Sequence, residues 1–212
     1  MSGEETLRAG LEQLRLELTE EKIAQLLAYQ TLIAKWNKVY NLTAVRHPAE
    51  MMTHHLLDSL AAVGPLQRHM EQGSLLDVGA GAGLPGVVIA ICCPAIDVTC
   101  VDTVAKKATF IKQVALELKL PNLAGLHARV ENLSQTFDVV CSRAFASLAD
   151  FTQWSAQAVA HAGVWLAMKG KHPTDELAAL PASVAVFHVE QLLVPGLDAE
   201  RCVVWMGKNI VS

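Results

Sequence analysis

The apolar residues of the chain recur at two spacings, and the change from one to the other outlines the fold. In the first third the spacing is three to four. Ile23, Leu26, Leu27, Gln30, Ile33 and Trp36 lie on one stripe, so a helix is expected from the cap and first-turn acids Thr19-Glu20-Glu21 to about Trp36. Glu4 to Leu18 also has helical character, Asn37 to Arg46 reads as a loop, and Pro48 opens a helix through His54, His55, Asp58 and Ser59 to about Val63, ended by Gly64-Pro65. Beyond this point short apolar runs take over: Leu75 to Val78, Ile96 to Val101, Leu123 to Ala128, Phe137 to Cys141 and Val164 to Met168. With helices after Pro85 and from Ala105 to Leu118, they predict an α/β fold: a parallel sheet with right-handed crossovers and a ligand crevice at the carboxyl ends of the strands. Ser183 to Leu193 and Cys202 to Lys208 leave no room for a crossover helix and should pair as an antiparallel hairpin. The expected organisation is a helical extension, residues 1–64, packed on one seven-stranded, mostly parallel core, residues 65–212.

The first strand runs into Asp77-x-Gly79-x-Gly81-x-Gly83, with Leu84, Pro85 and Gly86 following. Alternate glycines permit positive φ and let a ligand approach the backbone closely. Pro85 suits a first helical turn, where free amides attract a polar or anionic ligand edge. Gly81-x-Gly83-x-x-Gly86 also satisfies the dinucleotide fingerprint, so the turn by itself leaves a methyl-donor and a nicotinamide cofactor open. Asp102, about 20 residues past the turn, can accept hydrogen bonds from both ribose hydroxyls, or cap the helix that follows it. The closing hairpin favours a methyltransferase, because a nicotinamide domain more usually continues with a second βαβ half. A binding module that keeps the fold without catalysis is a third reading.

Of 212 residues, 52% are hydrophobic and 18% charged, so a sizeable core is available. Mean hydropathy is +0.31, yet the longest apolar run, Val87 to Cys93, is far shorter than the ~20 residues of a membrane-spanning helix. The opening Met1-Ser2-Gly3-Glu4-Glu5 lacks the regions of a signal peptide, and a cytoplasmic location is expected. Cys92, Cys93, Cys100, Cys141 and Cys202 show no C-x-x-C spacing and read as buried, reduced thiols. No metal site is expected, since the adjacent His54 and His55 diverge by ~100° on a helix. A net charge of −4 argues against a generally basic nucleic-acid surface and leaves room only for a local patch.

Four blocks together carry a more specific signal: Trp36-Asn37-Lys38-Val39-Tyr40-Asn41-Leu42-Thr43, His55-Leu56-Leu57-Asp58-Ser59, Asp77 to Gly86, and Ser142-Arg143-Ala144-Phe145-Ala146-Ser147-Leu148. From about residue 20 onward the chain resembles the bacterial small-subunit ribosomal RNA methyltransferase G family, formerly glucose-inhibited division protein B. The resemblance implies a class I, Rossmann-like enzyme that moves a methyl group from S-adenosylmethionine (AdoMet) to a guanine N7 of 16S rRNA, in the 530 loop of the decoding-centre region. The partner implied is that rRNA, within the small ribosomal subunit or its precursor. In AdoMet methyltransferases an acid at the position of Asp77 lies near the methionine end. The resemblance maps Gly79, Leu84, Val130, Glu131 and Arg143 onto cofactor positions, with Arg143 facing either the cofactor carboxylate or RNA; the sequence itself adds Gly81, Gly83 and Asp102. His54 departs from the family, which often has Arg or Lys there.

The absence of other blocks agrees with N7. No Asn-Pro-Pro-Tyr-like or Asp-Pro-Pro-Tyr-like run for exocyclic amines follows the fourth strand, nor a Pro-Cys nucleophile for pyrimidine C5. Guanine N7 carries an in-plane lone pair and no proton, so positioning should dominate and no acid-base residue is assigned. For RNA the candidates are Lys38, Arg46, His54, Lys106, Lys169, Lys171 and Arg201, with Lys35, His55 and Lys107 behind them. His55 is more often a core histidine paired with a neighbour such as Asp58. Trp36, Tyr40 and Phe145 suit either base stacking or the core.

Overall fold

The computed structural model of the protein describes residues 2–209. Strands β1 (Gly73–Val78), β2 (Ile96–Asp102), β3 (Leu123–His127), β4 (Phe137–Arg143), β5 (Val159–Lys169), β6 (Val184–Leu192) and β7 (Arg201–Lys208) form one sheet in the order β3-β2-β1-β4-β5-β7-β6. The first five are parallel, and β7 runs antiparallel to both of its neighbours. Chain direction through the sheet reverses between β1 and β4, so the crevice of a doubly wound fold opens beyond their carboxyl ends. Because β7 is reversed, its first residues lie at that same edge: Cys202 pairs with Lys169, the last residue of β5.

Helices α6 (Gly86–Cys92) and α7 (Ala105–Glu117) cover one face, and α2 (Glu20–Tyr40) lies over both. Every residue of α6 is buried, since it is enclosed between sheet and helix; this explains an apolar run with no polar stripe. The other face is covered by α8 (Leu148–Trp154) and α9 (Thr174–Ala178). Leu7 of α1 (Gly3–Leu14), Leu26 and Leu57 are buried in one continuous cluster with Val87 and Phe110. Each such side chain contributes roughly 1.5–3 kcal/mol, so the N-terminal helices share the core of the sheet. The expected boundary at residues 64 and 65 falls inside α5 (Val63–His69).

Several expectations need correction. The first helix ends at Leu14, four residues early, with Arg15 left-handed at φ 56°. The second continues through Asn37 to Tyr40, a stretch read as loop. Asn37 does not break it, because its amide donates to Val45 O (3.2 Å) and its carbonyl accepts from Thr43 N (2.9 Å), pinning the next loop. The helix from Pro48 changes character: α3 (Pro48–Met51) passes into a π-helix (Met52–Leu57) and a short α4 (Asp58–Leu60). Gly64-Pro65 does not end it but lies in the first turn of α5, where a missing N–H costs nothing. Pro85 precedes α6 rather than joining it, and β5 begins at Val159, five residues before the expected Val164. Among the described residues no helix is long and apolar enough to cross a membrane.

Candidate active site

Between β1 and α6 the backbone turns through Gly79 (φ 66°), Gly81 (φ 60°) and Gly83 (φ 91°), a left-handed series that only glycine adopts without strain. The turn is anchored from three sides. Gly79 N–H donates to Val101 O of β2 (2.9 Å), Gly81 N–H to the Asp102 carboxylate (3.0 Å), and the Tyr29 hydroxyl to Ala82 O (2.6 Å). A Cβ on Gly83 would lie 2.4 Å from Val87 Cγ2, and Gly83 lines neither cavity described below; it serves close packing. Asp77 supports the turn from below. Its buried carboxylate sits beneath the turn, accepts from Gly86 N–H (2.8 Å) at the start of α6 and lines neither cavity. Burial pushes its pKa up to about 7, against the opposing pull of the Gly86 N–H and of Arg143.

Two cavities meet at Gly79 and Ala144, which line both. The smaller, about 420 Å³, is walled by Asp102, Lys107, Val130, Glu131 and Phe145. Asp102 closes β2 and is buried, its oxygens accepting from Gly81 N–H and Val104 N–H (2.9 Å), with Lys107 Nζ 3.7 Å away. The residue directly before α7 is Val104, so Asp102 supports that helix from two positions upstream instead of capping it. Val130 is buried and Glu131 exposed, both on a single 3₁₀ turn after β3. Phe145 packs edge-on to Phe151 and Trp154, whereas Trp36 packs at tilted angles against Phe110 and Tyr40 in the helical layer.

The larger cavity, about 750 Å³, opens beyond β4, β5 and β7 and is lined by Leu84, His54, His55, Arg143, Lys169 and Arg201, among others. Its polar frame starts from the π-helix. There Asp58 N–H donates to Thr53 O and His55 O, not to His54 O as a regular α-helix requires. The His54 carbonyl instead accepts from Arg143 Nη1 (2.8 Å). Arg143 Nη1 also meets Asp58 Oδ2 (2.8 Å), and Asp58 Oδ1 accepts from Arg201 Nε (2.9 Å). Lys169 is occupied by Glu176 (2.8 Å) and Ala146 O (2.9 Å). His55 pairs with the Thr43 hydroxyl (2.8 Å), not with Asp58, and burial together with nearby Arg143 lowers its pKa to about 4, so the ring is neutral. Thr43 is held in turn by the loop that Asn37 pins.

Of the RNA candidates, His54, Lys169 and Arg201 line this cavity, while Lys38, Arg46, Lys106 and Lys171 are exposed and line neither. Lys107 faces Asp102. All five cysteines are free and buried. Among the described residues no three His, Cys, Asp or Glu side chains gather as metal ligands. Sequence reasoning passed over Tyr29 and gave Asp58 no role of its own; the only local hint of the latter was a carboxylate inside an apolar helical block.

Comparison with known proteins bears on the same architecture. The family model described as rRNA small subunit methyltransferase G matches residues 22–204. A Polaromonas protein named ribosomal RNA small subunit methyltransferase G is 74% identical over 96% of this chain and 93% of its own length. An Acidovorax protein of the same name is 66% identical over 97% and 95%. Among solved structures, TrmN from Thermus thermophilus aligns with a TM-score of 0.56 at 18% identity, covering 74% of this chain and 53% of that one. Ribosomal protein L11 methylase from Lactobacillus delbrueckii subsp. bulgaricus gives 0.56 at 14%, covering 71% and 78%. These likenesses concern fold, which is that of class I AdoMet-dependent methyltransferases. The chain belongs to the rRNA small subunit methyltransferase G family, enzymes that methylate the RNA of the small ribosomal subunit.

Proposed function

We propose that the protein transfers a methyl group from AdoMet to N7 of a guanine in the 530 loop of 16S rRNA, acting in the cytoplasm on the small subunit or its precursor. The observation that carries this reading is the pair of cavities joined at Gly79 and Ala144. The smaller suits a nucleoside: Asp102 offers a carboxylate to ribose hydroxyls, and Val130 and Glu131 form the turn against an adenine. Gly79, Gly81 and Leu84 shape the passage to the larger cavity, with Gly83 holding the turn in place. A Cβ on Gly79 would lie 2.2 Å from the Phe145 ring, so only glycine lets that ring pack against the neck. Arg143, held by Asp58, offers its remaining guanidinium N–H groups to the carboxylate of AdoMet, and the larger cavity has room for a base turned out of its stack.

When bound, AdoMet would supply an electrophilic methyl group for the N7 lone pair, with the C–S bonding pair returning to sulfur and the positive charge passing to guanine. N7 has no proton to lose, and the larger cavity fits that requirement. Asp58 is engaged by two guanidiniums, and His55, whose Nε2 is bonded to Thr43, has its pKa lowered to about 4 by burial and by Arg143, which makes it a weak base. What the residues contribute is alignment and the exclusion of water.

Labelled AdoMet offered to small subunits, free 16S rRNA, 23S rRNA and tRNA tests the reading, with chemical cleavage at N7-methylguanine locating the mark. Labelling confined to 16S rRNA, strongest in particles, is expected. A label on an exocyclic nitrogen or ribose oxygen, or equal labelling of tRNA, overturns the substrate assignment. Absence of labelling in every RNA, despite AdoMet binding, would favour a binding module.

A further inference from the structure

Asp58 is the most deeply buried charged group lining the larger cavity, at 4% exposure, and its two oxygens are divided between two arginines from strands separated by β5. One carboxylate against two guanidiniums leaves surplus positive charge at the wall. It also leaves donors to spare. A guanidinium carries five N–H groups. Among the described residues, Arg143 uses only Nη1, and Arg201 uses Nε and Nη1, the latter on Glu200 O. A buried ion triad is weak evidence for a stability role, because desolvation offsets much of the attraction. Two guanidiniums fixed by one carboxylate, each with unspent donors beside a cavity, are arranged for anions.

The sheet ranks the two. Arg143 ends β4, next to the strand that feeds the glycine turn, while Arg201 begins β7, two strands further out. We infer that Asp58 is a positioning residue that clamps Arg143 and Arg201 as two anion subsites, the inner for the carboxylate of the methyl donor and the outer for a phosphodiester of the RNA. This rests on the cofactor and substrate reading above. The π-helix belongs to the same device, since it releases the His54 carbonyl to hold Arg143 and sets Asp58 between the arginines.

Calorimetry with S-adenosylhomocysteine and with 5′-methylthioadenosine, which lacks the amino-acid end, separates positioning from mere structure. Asp58→Asn should raise the Kd of S-adenosylhomocysteine roughly tenfold, the scale of one charge-assisted hydrogen bond, and leave methylthioadenosine within about twofold. Equal weakening of both ligands, or unchanged S-adenosylhomocysteine, overturns the inference. If Asp58→Asn does not fold, Asp58→Glu, which keeps the charge but displaces it by a methylene, must show the same contrast in smaller measure. Arg201→Gln leaves the Asp58–Arg143 pair balanced; it should raise the KM for small subunits about fivefold and flatten its salt dependence, with S-adenosylhomocysteine affinity within about twofold. Loss of S-adenosylhomocysteine binding as large as in Asp58→Asn refutes the inner and outer division. Wild-type protein that binds neither ligand refutes the cofactor reading itself, an outcome distinct from all of these.

Discussion

The Tyr29 hydroxyl donates to the Ala82 carbonyl oxygen at 2.6 Å across 53 residues of sequence, so the second helix is bonded directly to the glycine turn. Tyr29 is fully buried. Tyr29→Phe removes the donor and leaves the carbonyl without it, at a cost of roughly 1–2 kcal/mol. For a chain of this size each kcal/mol corresponds to about 2–4 °C in Tm. Thermal unfolding should show that drop, and calorimetry a few-fold loss of AdoMet affinity as the turn loosens. An unchanged Tm would mean that the bond adds nothing net.

Asp102 holds Gly81 and Val104 N–H groups and faces the smaller cavity. Asp102→Ala is expected to weaken AdoMet by roughly 1.5–3 kcal/mol through lost charge-assisted bonds. The fold should survive, because neither backbone donor lies inside a helix ladder. If a folded variant binds with wild-type affinity, the carboxylate serves only the backbone.

Gly81 in the turn and Gly86 at the start of α6 should fail for different reasons. At Gly81 a Cβ meets nothing nearer than Gly79 O at 3.9 Å, but φ is 60°; the cost of Gly81→Ala is backbone strain, roughly 1–2 kcal/mol, and Gly81→Asn should recover part of it. At Gly86 a Cβ would lie 2.4 Å from Cys100 Sγ and 2.8 Å from Asp77 Oδ2. Gly86→Ala should therefore cost roughly 1–3 kcal/mol by overpacking. Cys100→Ala, which removes the sulfur, should restore part of that loss in a double-mutant cycle of denaturant midpoints. Simple additivity would place the strain elsewhere.

Two groups at the site make opposing contributions to stability against pH. His55 titrates at 6.5 ordinarily and at about 4 when folded, so between those values the unfolded chain binds more protons and stability rises with pH. Asp77 moves from 3.8 to about 7, so over that range the folded chain binds more protons and stability falls as pH rises. The two should nearly cancel in the wild type from pH 4 to 6.5. Asp77→Asn keeps an acceptor for Gly86 N–H and removes the falling contribution. Relative to wild type its unfolding free energy should then climb by about 1 kcal/mol per pH unit averaged across that window, somewhat less than the slope of one full proton because the window ends near the two pKa values. A difference that stays flat would show that Asp77 is already ionised there in the folded protein.

The parts of the site that are local in sequence were legible there. Alternate glycines after an apolar strand, and an acid where the next strand ends, are signals contained in a few residues, and the closing hairpin followed from the lack of room for a crossover. Tyr29 and Asp58 were not legible, because each acquires its role from partners far away: Ala82 for the first, and for the second arginines 85 and 143 residues distant. Asn37 read as the first residue of a loop, although it lies inside the helix and its side chain staples the loop behind it. Helices α8 and α9 span seven and five residues, too short for a 3.6-residue period to register. The π-helix was hidden for a similar reason: six residues of mixed polarity do not distinguish an i+4 ladder from an i+5 one.

That wide turn makes segment length itself a functional variable. A residue in an i→i+4 helix advances the chain by ~100° about the axis and one in an i→i+5 turn by less, so the rotational phase at which Asp58 emerges depends on which ladder the residues before it form. A π-helix holds one extra residue in its turn, so deleting one residue from Met52 to Leu57 would let the segment close as an ordinary i→i+4 ladder, in which the carbonyl four residues before Asp58 is spent on the backbone and no longer on Arg143.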